Sequence, residues 1–210
     1  LSKKEADKWN LKKLHIIPNP ITLSIGKQST LDNKKVIFVG RQKLLKGVDF
    51  LVQIWTKVNQ KFPDWTLEVY GEKFSEFNLE KAIAENGLHH TAFVFEPVLD
   101  IQNKYSESSI FIMTSRIESF GLVITEAMSC GLPCVAFDAP TGPSSIIEDK
   151  QNGFLIPCFD VESFAQKVIE LIENKKLRKQ MGQNAKLSSL NYNQEKIMEQ
   201  WLTLFKNVAN

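Results

Sequence analysis

The length, composition and charge of the chain exclude several classes of protein. The chain has 210 residues, of which 43% are hydrophobic and 24% are charged. These values are typical of one large globular domain, with or without a short appendage, and they exclude a disordered or fibrous chain. The 26 basic and 24 acidic residues give a net charge of +2, which is too balanced to indicate a nucleic-acid-binding protein.

The cysteines and histidines indicate neither disulfides nor a metal site. The chain has three cysteines, Cys130, Cys134 and Cys158, an odd number without a disulfide-like spacing. This pattern favours a reducing compartment and predicts a cytoplasmic protein. Cys130 and Cys134 stand among apolar residues, and we interpret them as small buried hydrophobic side chains. The histidines are not spaced with the cysteines as zinc ligands are. The sequence contains no run of about 18 apolar residues, the length that a transmembrane helix requires.

Short apolar runs alternate with helical patterns from residue 34 onward. The first run, Lys35–Val39, ends at Gly40, and the helix after it has apolar residues at helical spacing. The predicted strands are 35–39, 66–70, 92–95, 109–113, 133–137 and 153–156, and the predicted helices are 48–62, 79–85, 101–106, 120–130, a short one from Pro143, and three around 164–172, 177–187 and 197–208. Short strands that are apolar throughout and separated by helices are typical of a parallel sheet covered on both faces.

We therefore predict an α/β domain over residues 34–190, a Rossmann-like doubly wound parallel sheet of about six strands. Residues 1–33 include an extended segment in which Pro18 and Pro20 disfavour helix at their predecessors, and we interpret them as an interdomain segment and the tail of another domain. Residues 191–210 are predicted to form a helix that packs back toward that domain. The N-terminal segment contains a basic run, Lys3, Lys4, Lys8, Lys12 and Lys13. We interpret this run as the solvated face of a helix, and the alternative is that it contacts an anionic membrane surface.

Two cations follow the first predicted strand, in the sequence Gly40-Arg41, four residues, then Lys46-Gly47. Ligands of open parallel sheets bind at the carboxyl ends of the strands, and the start of a helix attracts anions. Because Arg can donate to two phosphate oxygens and Lys adds a compact charge, these residues are consistent with a pyrophosphate site. The alternative is that both are surface cations. The glycine patterns of a dinucleotide fingerprint and of a P-loop are absent.

Two carboxylates follow the fourth predicted strand. Glu118 lies in the loop, Ser119 is a natural N-cap, Gly121 lets a ligand approach the backbone, and Glu126 is one to two turns into the helix. Carboxylates accept hydrogen bonds from sugar hydroxyls, so Glu118 is suited to a hexose and Glu126 to a ribose. The alternative is that Glu118 is a solvated charge in the loop and Glu126 is a surface residue of the helix. However, Glu126 stands beside the apolar Ala127 and Met128, where a carboxylate needs a hydrogen-bond partner.

These residues carry a resemblance to a known family. The segment from Glu118 through Glu126 to Gly131 and Pro133 resembles the E-x7-E region of retaining GT-B glycosyltransferases of the GT4 type. The other matching blocks are, in chain order, Ile17-Pro18-Asn19-Pro20, Gly40-Arg41 with Lys46-Gly47, Thr141-Gly142-Pro143 and Asn152-Gly153-Phe154-Leu155. Each block is weak alone, but together they span residues 16–175 in the family's order.

The resemblance implies a role for each matched residue. Arg41 and Lys46 bind the diphosphate of a nucleotide sugar, with UDP the expected nucleotide. Glu118 is the catalytic residue and meets the transferred hexose. Glu126 binds the ribose, and the nucleobase lies near Pro97 and Val98. The remaining residues expected at the sugar and distal phosphate are Ser119, Phe120, Gly121 and Leu122. The resemblance further implies transfer with retained anomeric configuration, without a cofactor or metal, to a glycan or lipid-linked acceptor in cell-surface polysaccharide synthesis.

The sequence departs from the family pattern in two ways. Thr141 and Ser145 occupy places where the family often has Gly and Glu, which leaves the sugar open. The family also has a second, N-terminal domain that holds most of the acceptor site, so we expect this chain alone to bind nucleotide but to transfer sugar poorly, and the longer enzyme could associate with a membrane surface. The alternatives are a non-catalytic nucleotide-sugar-binding domain and a GT-B-like epimerase or phosphorylase.

Overall fold

Six short strands form one parallel sheet in the computed structural model, which describes Ala6 and residues 14–23 and 27–209. The strands are β1 (Lys35–Val39), β2 (Thr66–Tyr70), β3 (Ala92–Phe95), β4 (Ile110–Met113), β5 (Cys134–Phe137) and β6 (Gly153–Ile156). The helices that follow them are α1 (Val48–Lys61), α2 (Leu79–Glu85), α3 (Ile101–Ser106), α4 (Leu122–Ser129), α5 (Val161–Glu173), α6 (Lys175–Ser189) and α7 (Gln194–Ala209). Single 3-10 turns lie at Leu44–Lys46, Pro143–Ser145 and Leu190–Tyr192.

The strand order is β3-β2-β1-β4-β5-β6, and every pairing is parallel. This order confirms the predicted Rossmann-like doubly wound sheet. The direction in which strands are added reverses between β1 and β4. At such a switch point, the connections leave toward opposite sides and open a crevice at the carboxyl ends of the strands. A ligand site is therefore expected beyond Val39 and Met113.

Both faces of the sheet are buried at its centre, which explains why β4 and β5 are apolar throughout. Successive side chains of a strand point to opposite faces. Val36 and Phe38 of β1 accordingly belong to one apolar cluster, with α1 and α5, whereas Ile37 belongs to the other, with α4. Two continuous hydrophobic cores, one on each face, hold the sheet rigid. The loops at its carboxyl edge are thereby fixed in position.

The segment before the sheet is neither helix nor strand over residues 14–22. Ile21 is buried, and its N–H donates to the carbonyl oxygen of Tyr192 over 2.8 Å. The segment is thus tied to the turn that precedes α7. The predicted basic run, Lys3, Lys4, Lys8, Lys12 and Lys13, lies outside the described residues. Among the helices in the described ranges, none combines the length and apolar character that crossing a bilayer requires.

A buried arginine joins α6 to the end of α5. The Arg178 side chain donates to the carbonyl oxygens of Leu171 at 2.6 Å and Ile172 at 3.0 Å, both in the last turn of α5, and to that of Leu31 at 3.1 Å. Only 4% of the residue is exposed. A cation at this position satisfies carbonyls that have no partner within the helix and interacts favourably with the helix dipole.

Replacing Arg178 with methionine is expected to lower the free energy of unfolding by about 2–4 kcal/mol, because three buried carbonyls lose charged donors while the aliphatic stem remains. Urea unfolding followed by circular dichroism measures this loss. The matched control is Lys175→Met on the same helix, whose exposed ion pair with Asp32 is worth at most about 1 kcal/mol. Equal losses in the two variants would contradict the structural role of Arg178.

Candidate functional site

A cavity of about 410 Å³ opens at the switch point, at the carboxyl ends of β1 and β4. Its walls come from the two loops that follow these strands, and Asn19 of the preceding segment completes them. The lining residues are Asn19, Phe38, Val39, Gly40, Arg41, Lys46, Met113, Ser115, Glu118, Ser119, Phe120, Gly121, Leu122 and Val123. The structure therefore brings together all the predicted site residues except Pro97, Val98 and Glu126.

The loop after β1 is held directly against the end of β4. Gly47 ends the 3-10 turn with φ 71°, and a Cβ at this position would lie 1.8 Å from the Thr114 carbonyl oxygen. The Thr114 hydroxyl donates to the carbonyl oxygens of Lys46 at 3.0 Å and Gly47 at 2.9 Å. Only glycine permits this approach. The contact fixes the backbone from which the Lys46 side chain enters the cavity.

Arg116 ties the same two loops together outside the cavity. Its guanidinium donates to both carboxylate oxygens of Asp49, each over 2.7 Å, and lies 4.2 Å from the centre of the Phe50 ring. Its backbone N–H donates to the carbonyl oxygen of Leu45 over 2.9 Å. A bidentate pair of this kind is geometrically specific. Arg116 thus supports the loop and is not among the residues that line the cavity.

Lys46 and Glu118 form an ion pair on the cavity wall. The Lys46 Nζ lies 2.6 Å from Glu118 Oε2, and the two side chains are 21% and 14% exposed. The sequence predicted both residues at the site but did not predict that they pair. An ammonium beside a carboxylate presents a cation to phosphate oxygens and an acceptor to sugar hydroxyls. The pair therefore suits a ligand that has both groups close together.

The start of α4 differs from the prediction. Ser119 was predicted as the N-cap, but this was wrong: Gly121 is the N-cap, with φ 98°, and the helix begins at Leu122. The reason is that the left-handed turn that starts the helix needs a glycine. The Gly121 N-cap provides no side-chain hydrogen bond to this helix, and Leu122 and Val123 of the first turn line the cavity. Their N–H groups and the helix dipole make this end attractive to an anion.

The backbone of Glu118 is supported by the segment after β5. Glu118 pairs with Thr141 in an isolated parallel bridge, and the Thr141 hydroxyl donates to the Glu118 carbonyl oxygen over 3.1 Å. A Cβ on Gly142 would lie 2.7 Å from the carbonyl oxygens of both Glu118 and Phe120. Thr141 itself has φ 79°, a conformation that disfavours β-branched residues and explains why glycine suits this position.

Ser115 carries a buried hydroxyl on the cavity wall. The residue is 1% exposed, and its Oγ has no hydrogen-bond partner among the residues that the structure describes. Leaving a buried polar group without a partner costs about 1–3 kcal/mol. The sequence did not single out this hydroxyl, which belongs to a residue of the cavity lining.

The other predicted residues lie beyond the cavity lining. Glu126 is just over one turn further along α4, partly buried, and its Oε2 accepts a hydrogen bond from the Tyr105 hydroxyl over 3.2 Å. Burial raises the pKa of the Glu126 carboxyl, and the Tyr105 hydrogen bond partly opposes this. Glu126 is therefore not a solvated surface carboxylate. Val98 lies in the loop after β3 and is 38% exposed.

Cys130 and Cys134 are placed as predicted. Cys130 and Cys134 are buried, and burial raises the pKa of both thiols, that of Cys130 to about 11. Such thiols are inert apolar side chains. Within the described ranges, no three side chains of the metal-ligating types come together.

The chain is similar to known proteins in both sequence and fold. Residues 23–188 match the glycosyl transferases group 1 family. An uncharacterized glycosyltransferase of Haemophilus influenzae is 34% identical over 93% of this chain and 56% of its own length. The crystal structure of TarM from S. aureus with UDP and alpha-GlcNAc-glycerol matches with a TM-score of 0.85 and 28% identity over 95% of this chain and 41% of that chain.

A structure of a single domain is also similar. The C-terminal domain of a glycosyl transferase group 1 family protein (LpcC) from Francisella tularensis matches with a TM-score of 0.70 and 27% identity, over 77% of this chain and 88% of that domain. By contrast, the chain spans about half or less of the length of the Haemophilus protein and of TarM. The described fold thus corresponds to the C-terminal half of a GT-B structure.

Proposed function

Because the chain belongs to the glycosyl transferases group 1 family, we propose that its cavity binds the nucleotide-diphosphate sugar from which a hexose is transferred. One observation carries the proposal: the Lys46–Glu118 ion pair and the start of α4 line the same cavity at the switch point. A cation, a helix N-terminus and a carboxylate together match the diphosphate and the sugar of such a donor.

The parts of the donor are assigned by chemistry. The diphosphate lies between the α4 N-terminus and the cations Arg41 and Lys46, because both attract anions. The transferred hexose lies on Glu118, with the loop from Ser119 to Leu122 around it. The ribose reaches Glu126, which is further along the same helix. The nucleobase lies toward Val98 in the loop after β3.

The reaction we propose retains the anomeric configuration and needs no metal. The bond between the anomeric carbon and the phosphate oxygen breaks, the diphosphate leaves with the electron pair, and an acceptor hydroxyl oxygen bonds to the same face of the sugar. The hydroxyl proton passes to a phosphate oxygen of the leaving group. Arg41, Lys46 and the helix N-terminus stabilise the negative charge that develops there, and Glu118 is the catalytic residue because it contacts the transferred sugar.

UDP is the nucleotide we propose, and a glycan or lipid-linked hydroxyl is the acceptor, in the synthesis of a cell-surface polysaccharide at the cytoplasmic side of the membrane. Support comes from TarM, a similar structure that was solved with UDP and alpha-GlcNAc-glycerol. Peripheral membrane association of the longer enzyme is a further proposal, and the basic run that motivates it lies outside the described residues.

The helix α7 is proposed to pack against a second domain that binds the acceptor, with residues 1–33 as the interdomain segment and 34–190 as the donor domain. Ile197 faces inward and is fully buried, whereas one side of α7 exposes Met198, Trp201, Leu202, Phe205 and Val208. Apolar patches of this kind mark interfaces. The relatives' greater length supports such a domain.

Thermal unfolding with UDP, GDP, ADP and their sugar conjugates tests donor binding. UDP at about 100 times its dissociation constant is expected to stabilise the wild type by about 2.7 kcal/mol and to stabilise Glu126→Ala by clearly less. The control is Glu173→Ala at the end of α5, where an exposed carboxylate pairs with Lys61; this variant should respond to UDP like the wild type. If none of the three nucleotides stabilises the wild type relative to Glu126→Ala, the proposal is wrong.

A further inference from the structure

Tyr105 is a buried tyrosine whose hydroxyl is aimed at the proposed ribose site. The residue lies on α3 with no exposed surface, and its ring packs edge-on against Phe111 at 6.1 Å between centres. Its hydroxyl donates to Glu126 Oε2 over 3.2 Å. A buried phenol needs a hydrogen-bond partner. Because the ring is fixed by packing on β4, the direction of the hydroxyl is fixed as well.

The Glu126 carboxylate needs such a fixed donor. It extends from α4 between the buried Thr125 and Ala127, and a glutamate side chain has several rotamers of similar energy. A hydrogen bond to Oε2 selects one of them and sets the plane of the carboxylate. It also offsets part of the cost of burying the charge. The free protein thus holds the carboxylate in one orientation before any ligand arrives.

We infer that Tyr105 is a positioning residue, whose hydroxyl holds the Glu126 carboxylate in the orientation that accepts the vicinal hydroxyls of the donor's ribose. The inference rests on the proposed function, since it takes Glu126 as the ribose contact. Tyr105 itself does not touch the ligand. Preorganisation of this kind increases affinity by removing the cost of ordering a side chain on binding. This increase in affinity applies only to ligands that donate hydrogen bonds to the Glu126 carboxylate.

Calorimetric titration of Tyr105→Phe with UDP and with 2′-deoxy-UDP tests the inference. The substitution removes only the hydroxyl. The dissociation constant for UDP is expected to rise about tenfold, whereas that for 2′-deoxy-UDP, which lacks the diol, rises less than about twofold. Because two ligands are compared on one variant, a general loosening of the fold weakens both equally, and that result would overturn the inference.

A second tyrosine–glutamate pair provides the matched control. The Tyr70 hydroxyl donates to Glu68 Oε2 over 2.7 Å on β2, and neither residue lines the cavity. Tyr70→Phe is expected to bind both ligands like the wild type. In the Glu126→Ala background, Tyr105→Phe is expected to cause no further loss of UDP affinity, since coupled residues are not additive.

The outcomes separate the two proposals. If the wild type binds neither ligand, the proposed function fails and the role of Tyr105 fails with it. If the wild type prefers UDP over 2′-deoxy-UDP and Glu126→Ala removes that preference, but Tyr105→Phe keeps it in full, then Glu126 remains the ribose contact and Tyr105 does not position it.

Discussion

Replacing Arg41 and Lys46 together with methionine is expected to weaken UDP binding by about 100-fold or more. Hydrogen bonds to charged groups contribute about 1.5–3 kcal/mol each, and each 1.4 kcal/mol is about a tenfold change in affinity. Both residues line the cavity, so their loss leaves the diphosphate with the α4 N-terminus alone. Isothermal titration of UDP into the double variant measures the effect. Unfolding curves establish that the variant is folded.

The control for this experiment removes two other cations near the same loop. Lys43 lies over the Phe74 ring at 3.8 Å, and Lys73 pairs with Glu80 at 2.9 Å. Neither residue lines the cavity. The Lys43→Met, Lys73→Met variant loses the same net charge and is expected to bind UDP within about threefold of the wild type. Equal weakening in the two double variants would show that general charge, and not the cavity, attracts the nucleotide.

Replacing Gly47 with alanine is expected to lower the free energy of unfolding by about 2–4 kcal/mol and to abolish UDP binding. The added Cβ would lie 1.8 Å from the Thr114 carbonyl oxygen, and the residue has φ 71°. The loop after β1 must therefore separate from the end of β4, which moves Lys46 away from Glu118. Urea unfolding and UDP titration measure the two effects.

Gly40 provides the comparison for Gly47. It lies in the same loop, and a Cβ there would meet only the Phe38 ring at 3.4 Å, an ordinary van der Waals contact. Gly40→Ala is expected to change the free energy of unfolding by less than about 1 kcal/mol. If Gly47→Ala is as stable as Gly40→Ala and still binds UDP, the close contact with Thr114 does not fix the loop.

The central strands were predictable because they are buried on both faces. A strand such as Ile110–Met113 is apolar at every position and is followed by a helical pattern. Together these two features predict a parallel sheet covered by helices. The predicted order of strands and helices also located the cations and carboxylates at the carboxyl edge of the sheet. The start of α4 was less predictable, since Ser119 and Gly121 both favour a helix start and only the backbone decides between them.

Contacts between distant residues were not predictable from the pattern. Lys46 and Glu118 are 72 positions apart, and Tyr105 and Glu126 are 21 apart, so no local spacing indicates either pair. Ser115 and Asn19 were missed as cavity residues for the same reason. Each contributes a single small polar side chain, and its position on the wall depends on how β4 and the preceding segment are packed.

A crystal structure of the protein with bound UDP would locate the diphosphate itself. We expect phosphate oxygens about 3 Å from Lys46 Nζ and from the N–H groups of Leu122 and Val123, with the ribose hydroxyls on the Glu126 carboxylate. UDP bound away from the carboxyl ends of β1 and β4, or in this cavity with its diphosphate remote from Lys46 and α4, would contradict the assignment of the cavity as the donor site.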